Sequence, residues 1–107
     1  MRRGTTPVIV FNTDIDFTQV AELYVTFAQD GPNPKTRKII VEKDKTQCEF
    51  DENKIIVSLT QQDTLKFDLD PRDTVYIQIR VKYENGTAMA SNVLNARVKD
   101  ILKDGEI

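Results

Sequence analysis

The sequence predicts an all-β fold, an antiparallel β-sandwich or a small barrel of about seven short strands. Apolar and polar residues alternate almost everywhere along the 107 residues, as in strands that bury one face. The candidate strands recur at intervals of roughly 8–12 residues, with turn-forming residues between them. No long stretch has a helical period, so a layered α/β fold is not expected.

The first candidate strand, Val8–Phe11, is a continuous apolar run, which predicts a strand covered on both faces. That cover comes either from this domain or from another subunit. The segment from Asp14 to Ala21 predicts one short helical turn. Further strands are predicted around Leu23–Phe27, Ile39–Val41, Gln47–Phe50 and Ile55–Leu59, with Cys48 and Phe50 on one side of their strand.

A short helical crossover is predicted after these strands. Thr60 followed by Asp63 resembles a helix N-cap, although a full capping box usually has Glu or Gln at the second position. Leu65 and Phe67 are expected to fold back onto the core. Asp70 and Pro71 then predict a turn.

The stretch "VYIQIRVKYENGTAMASN", Val75 to Asn92, predicts a hairpin at the centre of the fold. Asn85-Gly86 is a strong signal for a two-residue type I′ turn. This turn sets a register that pairs Val81 with Ala90, Ile79 with Asn92, Ile77 with Leu94 and Val75 with Ala96. One face then carries Val75, Ile77, Ile79, Val81, Leu94, Ala96 and Val98, as half of a sandwich core requires.

Two features of this hairpin do not fit a plain core. In the predicted register Asn92 points inward, where a buried amide needs hydrogen-bond partners. Asn92 is therefore assigned a structural role, as are the turn residues Asn85 and Gly86. The opposite face places Met89 and Val93 beside Tyr76. This grouping is typical of a protein contact surface. The predicted protein interface consists of Tyr76, Met89, Val93, Val8 and Phe11.

Composition limits the classes of partner. The chain is one predicted domain, residues 1–107, with a flexible N-terminal arm at 1–6 and a flexible tail at 103–107. Fifteen basic and 17 acidic residues give a net charge of −2, which argues against nucleic-acid binding and against attraction to anionic membranes. No apolar run approaches the ~20 residues of a membrane span. We expect synthesis and folding in a cytoplasm, without a secretory signal peptide.

Few residues offer catalytic chemistry. The sequence contains no histidine, which removes the usual general base and metal ligand. Cys48, the one cysteine, alternates with Phe50 and is predicted to be a buried structural thiol. The pairs Asp14/Asp16 and Asp68/Asp70 are interpreted as loop and turn residues rather than as metal ligands. The basic stretch from Lys35 to Lys45 is interpreted as a solvated sheet edge. No catalytic, cofactor-binding or metal-binding residue is assigned.

Six segments of the chain are characteristic: "MRRGTTP", "ELYVTFAQ", "SLTQQDTLKF", "VYIQIRV", "ASN" and "ILKDGEI". They resemble a family of small, mostly uncharacterised proteins of phages and prophages of Gram-positive gut bacteria. The likeness extends over nearly the whole chain, so we expect a complete small protein. The C-terminal strands also resemble the immunoglobulin-like N-terminal domain of phage baseplate upper proteins. The resemblance implies an immunoglobulin-like sandwich and a place in a virion.

The leading hypothesis is therefore a non-enzymatic structural or adaptor protein of a phage tail or baseplate. It would act through protein–protein interfaces, with copies of itself or with other phage structural proteins as partners. The alternative is a carbohydrate-binding module for host adhesion, although sugar platforms usually need exposed aromatic rings. The sequence has no Trp and three Tyr residues. An enzyme ranks third.

Overall fold

In the computed structural model the chain is described over residues 1–31, 36–68 and 73–97. The described residues form eight strands: β1 Val8–Asn12, β2 Val20–Asp30, β3 Arg37–Asp44, β4 Cys48–Asp51, β5 Lys54–Ser58, β6 Thr74–Tyr83, β7 Ala88–Ala90 and β8 Leu94–Arg97. They also form a short helix, α1 Gln61–Leu65, and 3₁₀ turns at Phe17–Gln19 and Lys45–Gln47. The predictions for Asp68/Asp70 as a pair, for the Asp70-Pro71 turn, for Val98 and for the tail 103–107 involve residues outside these ranges.

The strands form two antiparallel sheets. One has the order β1-β5-β4, and the other has the order β3-β2-β6, with β7 and β8 both pairing along the remaining side of β6. Every strand pair in the described ranges is antiparallel. The predicted all-β architecture is confirmed as a sandwich-like pair of sheets.

The core lies between the two sheets and is built from every second residue of the long strands. Phe27 of β2 is fully buried, and its ring lies 6.3 Å from that of Phe67, which follows α1. Fully burying one large apolar side chain contributes about 1.5–3 kcal/mol, so this layer supplies most of the stability. The buried apolar residues are Phe11, Val20, Leu23, Val25, Phe27, Val41, Ile55, Val57, Leu59, Phe67, Val75, Ile77, Ile79 and Val81.

Helix α1 begins at the predicted cap. The Asp63 amide donates to Thr60 Oγ1 at 3.0 Å, and the Thr60 amide donates to Asp63 Oδ2 at 2.9 Å. The two residues therefore form a reciprocal capping box, in which Asp63 takes the position usually held by Glu or Gln. The capping box fixes where the chain turns from β5 towards β6.

The N-terminal segment lies against α1. Arg3 donates a hydrogen bond to the Leu65 carbonyl at 2.6 Å, and the Thr64 hydroxyl donates to the Thr5 carbonyl at 2.9 Å. Gly4 is buried in the same region. The segment predicted as a flexible arm thus contacts the body of the protein, and its flexibility stays a prediction.

The turn of the β6–β7 hairpin differs from the prediction. It spans Glu84, Asn85 and Gly86, because the Gly86 amide donates to the Tyr83 carbonyl at 2.9 Å and the Tyr83 amide donates to the Thr87 carbonyl at 2.8 Å. A type I′ turn needs positive φ at both Asn85 and Gly86, and of these two only Gly86, at 90°, has it. The predicted two-residue turn is wrong; the loop has three residues and ends on a left-handed glycine.

This longer turn moves the nearby register by one residue. Met89, and not Ala90, lies opposite Val81. A β-bulge then restores the predicted register, because two residues, Asn92 and Val93, stand opposite Gln78. Beyond the bulge Ile77 pairs with Leu94 and Val75 with Ala96, as predicted.

Ser91 closes the ladder before the bulge. Its amide donates to the Ile79 carbonyl at 2.8 Å, and the Ile79 amide donates to the Ser91 hydroxyl at 3.0 Å instead of to a carbonyl. The Ser91 carbonyl accepts from Gln78 Nε2 at 3.0 Å. Asn92 consequently lies in the bulge at the border of the groove with an exposed side chain, so the prediction of a buried Asn92 amide is wrong.

Candidate interaction surface

An open apolar groove separates β1 from the β6–β7–β8 hairpin. Its volume is about 650 Å³. Three large apolar side chains that line it are strongly exposed: Val10 at 49%, Met89 at 57% and Leu94 at 48%. Val8, at 61%, and Val93, at 44%, are also exposed but do not line the groove. Exposed apolar residues that cluster in this way mark contact surfaces more often than isolated ones do.

The register explains why Met89 and Leu94 line this groove. Residues directly opposite each other in an antiparallel pair share a face. Met89 is opposite Val81, and Leu94 is opposite Ile77, whose side chains are both buried in the core. Met89 and Leu94 therefore lie on the inner face of their sheet, beyond the point where the smaller sheet covers it.

The structure does not bring the predicted interface residues onto one face. Tyr76 lies on the outer face of the larger sheet, whereas Met89 lies on the inner face. Phe11 is 7% exposed and belongs to the core, although it also borders the groove. Val8 projects from the outer face of β1. The predicted single face containing Tyr76, Met89 and Val93 is therefore wrong, since the turn reverses the orientation of Met89.

Tyr76 is part of a polar cluster instead. Its hydroxyl donates to Asp30 Oδ2 at 3.0 Å, and the Arg37 guanidinium lies 3.7 Å from the centre of its ring. Arg37 also approaches Asp30 at 3.8 Å. The ring face of Tyr76 is thus already covered by this chain.

A second cluster occupies the middle of the same outer face. Arg80 lies 5.6 Å from the centre of the Tyr24 ring and 3.6 Å from Glu42 Oε2. Thr26 donates to the same Glu42 oxygen at 3.0 Å. Cross-strand contacts of this kind stabilise a sheet, and they link β3, β2 and β6.

A nearly buried ion pair joins β3 to α1. Lys43 Nζ lies 2.8 Å from Asp63 Oδ2, and the two side chains are 12% and 10% exposed. Burial raises the pKa of Asp63, but hydrogen bonds from Lys43 and Thr60 and the charge of Lys43 outweigh it and lower the pKa below its ordinary value of 3.8. The interpretation of Lys43 as part of a solvated edge is wrong, because its side chain faces inward opposite Val25.

Cys48, the one cysteine of the chain, is half-buried with a free thiol. Burial raises the pKa of its thiol, the charge of Asp44 raises it further, and Lys43 opposes both. A raised pKa keeps the thiol protonated and weakly nucleophilic. Cys48 and Phe50 both pack against the core, which places them on one side of β4 as predicted.

The acidic loop residues cap 3₁₀ turns. Asp16 accepts from the Thr18 hydroxyl at 2.7 Å and from the Thr18 amide at 3.1 Å, and these bonds lower its pKa. Asp44 accepts from Thr46 in the same way, with the same effect on its pKa. Over residues 1–31, 36–68 and 73–97, no three acidic, cysteine or histidine side chains come together as a metal site would require.

These features define the chain as an all-β protein of two antiparallel sheets with an apolar groove between two strand edges. Comparison with protein-family models, with curated proteins and with solved structures found no match. Among the described residues, no helix is long and apolar enough to cross a membrane.

Proposed function

We propose that this protein is a non-enzymatic structural or adaptor protein of a phage or prophage particle, of the tail or baseplate type. The observation that carries the proposal is the open groove. Its lining includes Met89 and Leu94, core-type side chains that the chain itself leaves about half exposed. A subunit that completes its apolar contacts only in an assembly has this property.

We also infer an immunoglobulin-like topology. Immunoglobulin-like sandwiches combine one sheet with the strand order A-B-E-D and another with the order C′-C-F-G. The order β1-β5-β4 corresponds to B-E-D, and β3-β2-β6 followed by β7 and β8 corresponds to C′-C-F-G. This correspondence leaves no described strand in the position of strand A, which would lie beside β1. Domains of this type commonly serve as building blocks in larger assemblies.

The aromatic rings on the outer face of the larger sheet are covered by arginine side chains, which favours a structural role over carbohydrate binding. Sugar platforms present free aromatic faces, whereas Arg37 stacks on Tyr76 and Arg80 lies over Tyr24. The exposed apolar side chains of the groove, Val10, Met89 and Leu94, are aliphatic or methionine, which suits a protein partner.

The proposal is tested by looking for this protein in purified phage particles. Phage particles are induced from the bacterium that carries the gene, purified on a density gradient and analysed by quantitative mass spectrometry. We expect the chain to co-sediment with tail proteins at a fixed ratio to them. Its recovery only in the soluble host fraction would contradict the proposal.

A further inference from the structure

Among the described residues, strand β1 pairs along one edge, with β5, and its other edge is open. The Pro7 carbonyl accepts from the Leu59 amide at 3.0 Å, and the Thr13 amide donates to the Asn53 carbonyl at 2.8 Å. Main-chain groups alternate in direction along an antiparallel strand. Between Pro7 and Thr13, the odd-numbered residues therefore bond to β5. The even-numbered residues, Val8, Val10 and Asn12, direct their amides and carbonyls towards the open edge.

The five residues of β1 have none of the sequence features that usually protect an edge strand from pairing. Natural edge strands carry charges, prolines or bulges, whereas β1 reads Val-Ile-Val-Phe-Asn and pairs with β5 without a bulge. The side chains of Val8 and Val10 are 61% and 49% exposed. The cover that the apolar run predicts for its second face is not supplied by the described part of the chain.

We propose that a second copy of this chain pairs its β1 with this β1, antiparallel and about a two-fold axis at Val10. In that register Val10 stands opposite Val10 of the second copy, and Val8 stands opposite its Asn12. The two Val10 residues exchange main-chain hydrogen bonds, because both direct these groups to the open edge. The result is a continuous six-stranded sheet with the order β4-β5-β1-β1-β5-β4.

Charge at the two ends of β1 favours a copy of the same chain in this direction. Arg2 precedes the strand, and Asp14 and Asp16 follow it; all three are exposed. Antiparallel pairing places the basic end of each copy beside the acidic end of the other. A two-fold interface requires this self-complementarity of one patch, and a parallel arrangement would oppose like charges.

The groove adds apolar contact to this edge. It opens on the same side of β1, and Val10 contributes to its lining. The two-fold axis sets the grooves of the two copies face to face, which shields Met89 and Leu94 in both. The inference rests on the proposed function only in treating this edge as a contact surface, and it names the partner as a second copy.

The test measures molar mass by light scattering over a wide range of concentration, for the full chain and for two variants. Val10→Lys places a charge at the centre of the proposed axis. Ile39→Lys is the matched control, because Ile39 is an apolar residue 60% exposed on β3, an edge strand of the other sheet. We expect a dimer for the unmodified chain and Ile39→Lys, and at least a tenfold weaker dimer for Val10→Lys. A monomer for the unmodified chain, or an unchanged dimer for Val10→Lys, would overturn the proposal.

A second measurement keeps the inference testable if Val10→Lys folds poorly. In a Cys48→Ser background, oxidised Val10→Cys is expected to give a disulfide-linked dimer at low protein concentration, and Ile39→Cys is not. Equal cross-linking of the two variants would contradict the two-fold register. Because the dimer is measured with purified protein, its failure is separate from failure to find the chain in particles.

Discussion

Lys43 on β3 and Asp63 on α1 form an ion pair of 2.8 Å between two side chains that are almost withdrawn from water. Asp63 simultaneously closes the capping box with Thr60. One carboxylate therefore fixes both the start of the helix and its position on the larger sheet. Removing one partner of such a pair is destabilising, because the other charge stays buried without compensation.

Lys43→Met is expected to lower the free energy of unfolding by about 3 kcal/mol, because Asp63 then stays charged without its partner. Urea denaturation followed by circular dichroism measures this loss. Lys82→Met is the control, since Lys82 is exposed on β6, and it should change stability by less than about 0.5 kcal/mol. Equal effects of the two substitutions would show that the ion pair contributes nothing.

The same pair predicts a dependence on pH. The pKa of Asp63 is lowered in the folded protein, so its contribution is complete above the ordinary carboxyl pKa and is lost as the pH falls through the lowered value. The stability difference between the unmodified chain and Lys43→Met should therefore shrink as the solution is acidified below about pH 4. A difference that stays constant from neutral to acid pH is the contrary result.

Gln29 forms a second buried link, between β2 and the segment after α1. Its Nε2 donates to the Asp68 carbonyl at 3.0 Å, and its Oε1 accepts from the Asp68 amide at 2.7 Å. Gln29→Leu keeps the apolar bulk but leaves both main-chain groups without this partner, and we expect a loss of about 2 kcal/mol. Thermal unfolding compares it with Gln62→Leu at an exposed position of α1. A loss no larger than that of Gln62→Leu would contradict the role of this link.

Asn92→Ala is expected to change stability by less than about 0.5 kcal/mol, because the side chain is exposed in the bulge. Gly86→Ala, in the same hairpin, should destabilise by about 1–2 kcal/mol through its φ of 90° alone, since nothing lies within 4 Å of an added Cβ. Calorimetry of the two variants measures the contrast. A larger loss for Asn92→Ala than for Gly86→Ala would indicate that the Asn92 amide is buried and hydrogen-bonded after all.

The alternation of apolar residues was sufficient to predict the sheets and most of the core. Val75, Ile77, Ile79 and Val81 are all buried on one face, as period two requires. The cap at Thr60 was also predictable, because its hydrogen bonds are local in sequence. Local patterns thus identified the elements that depend on near neighbours.

The hairpin shows where local reasoning fails. The three-residue turn shifts the strand register by one position. The bulge at Asn92 and Val93 shifts it back by one position, so the two shifts cancel. The far end therefore pairs as predicted, while Met89 changes face. Neither shift alters the apolar pattern of β6, so the pattern contains no signal for them. The use of the Ser91 hydroxyl as an acceptor for Ile79 is a tertiary detail that composition does not show.

The Lys43–Asp63 pair and the groove were missed for a different reason. Lys43 stands in a run of charged residues, which normally indicates solvent, and its partner lies 20 positions away along the chain. The groove depends on how far the smaller sheet extends over the larger one. Periodicity fixes which face a residue occupies but does not report how much of that face is covered.

We expect the groove beside β1 to be a protein contact surface in the assembled state. Site-specific photo-cross-linking tests it most directly, with a photoreactive amino acid at Met89 in the groove and, as control, at Ile39 on the opposite edge, in cells producing particles. We expect a defined cross-linked product from Met89 that contains a second copy of the chain or another particle protein. We expect little product from Ile39. Equal yields from both positions, or no product from Met89, would contradict it.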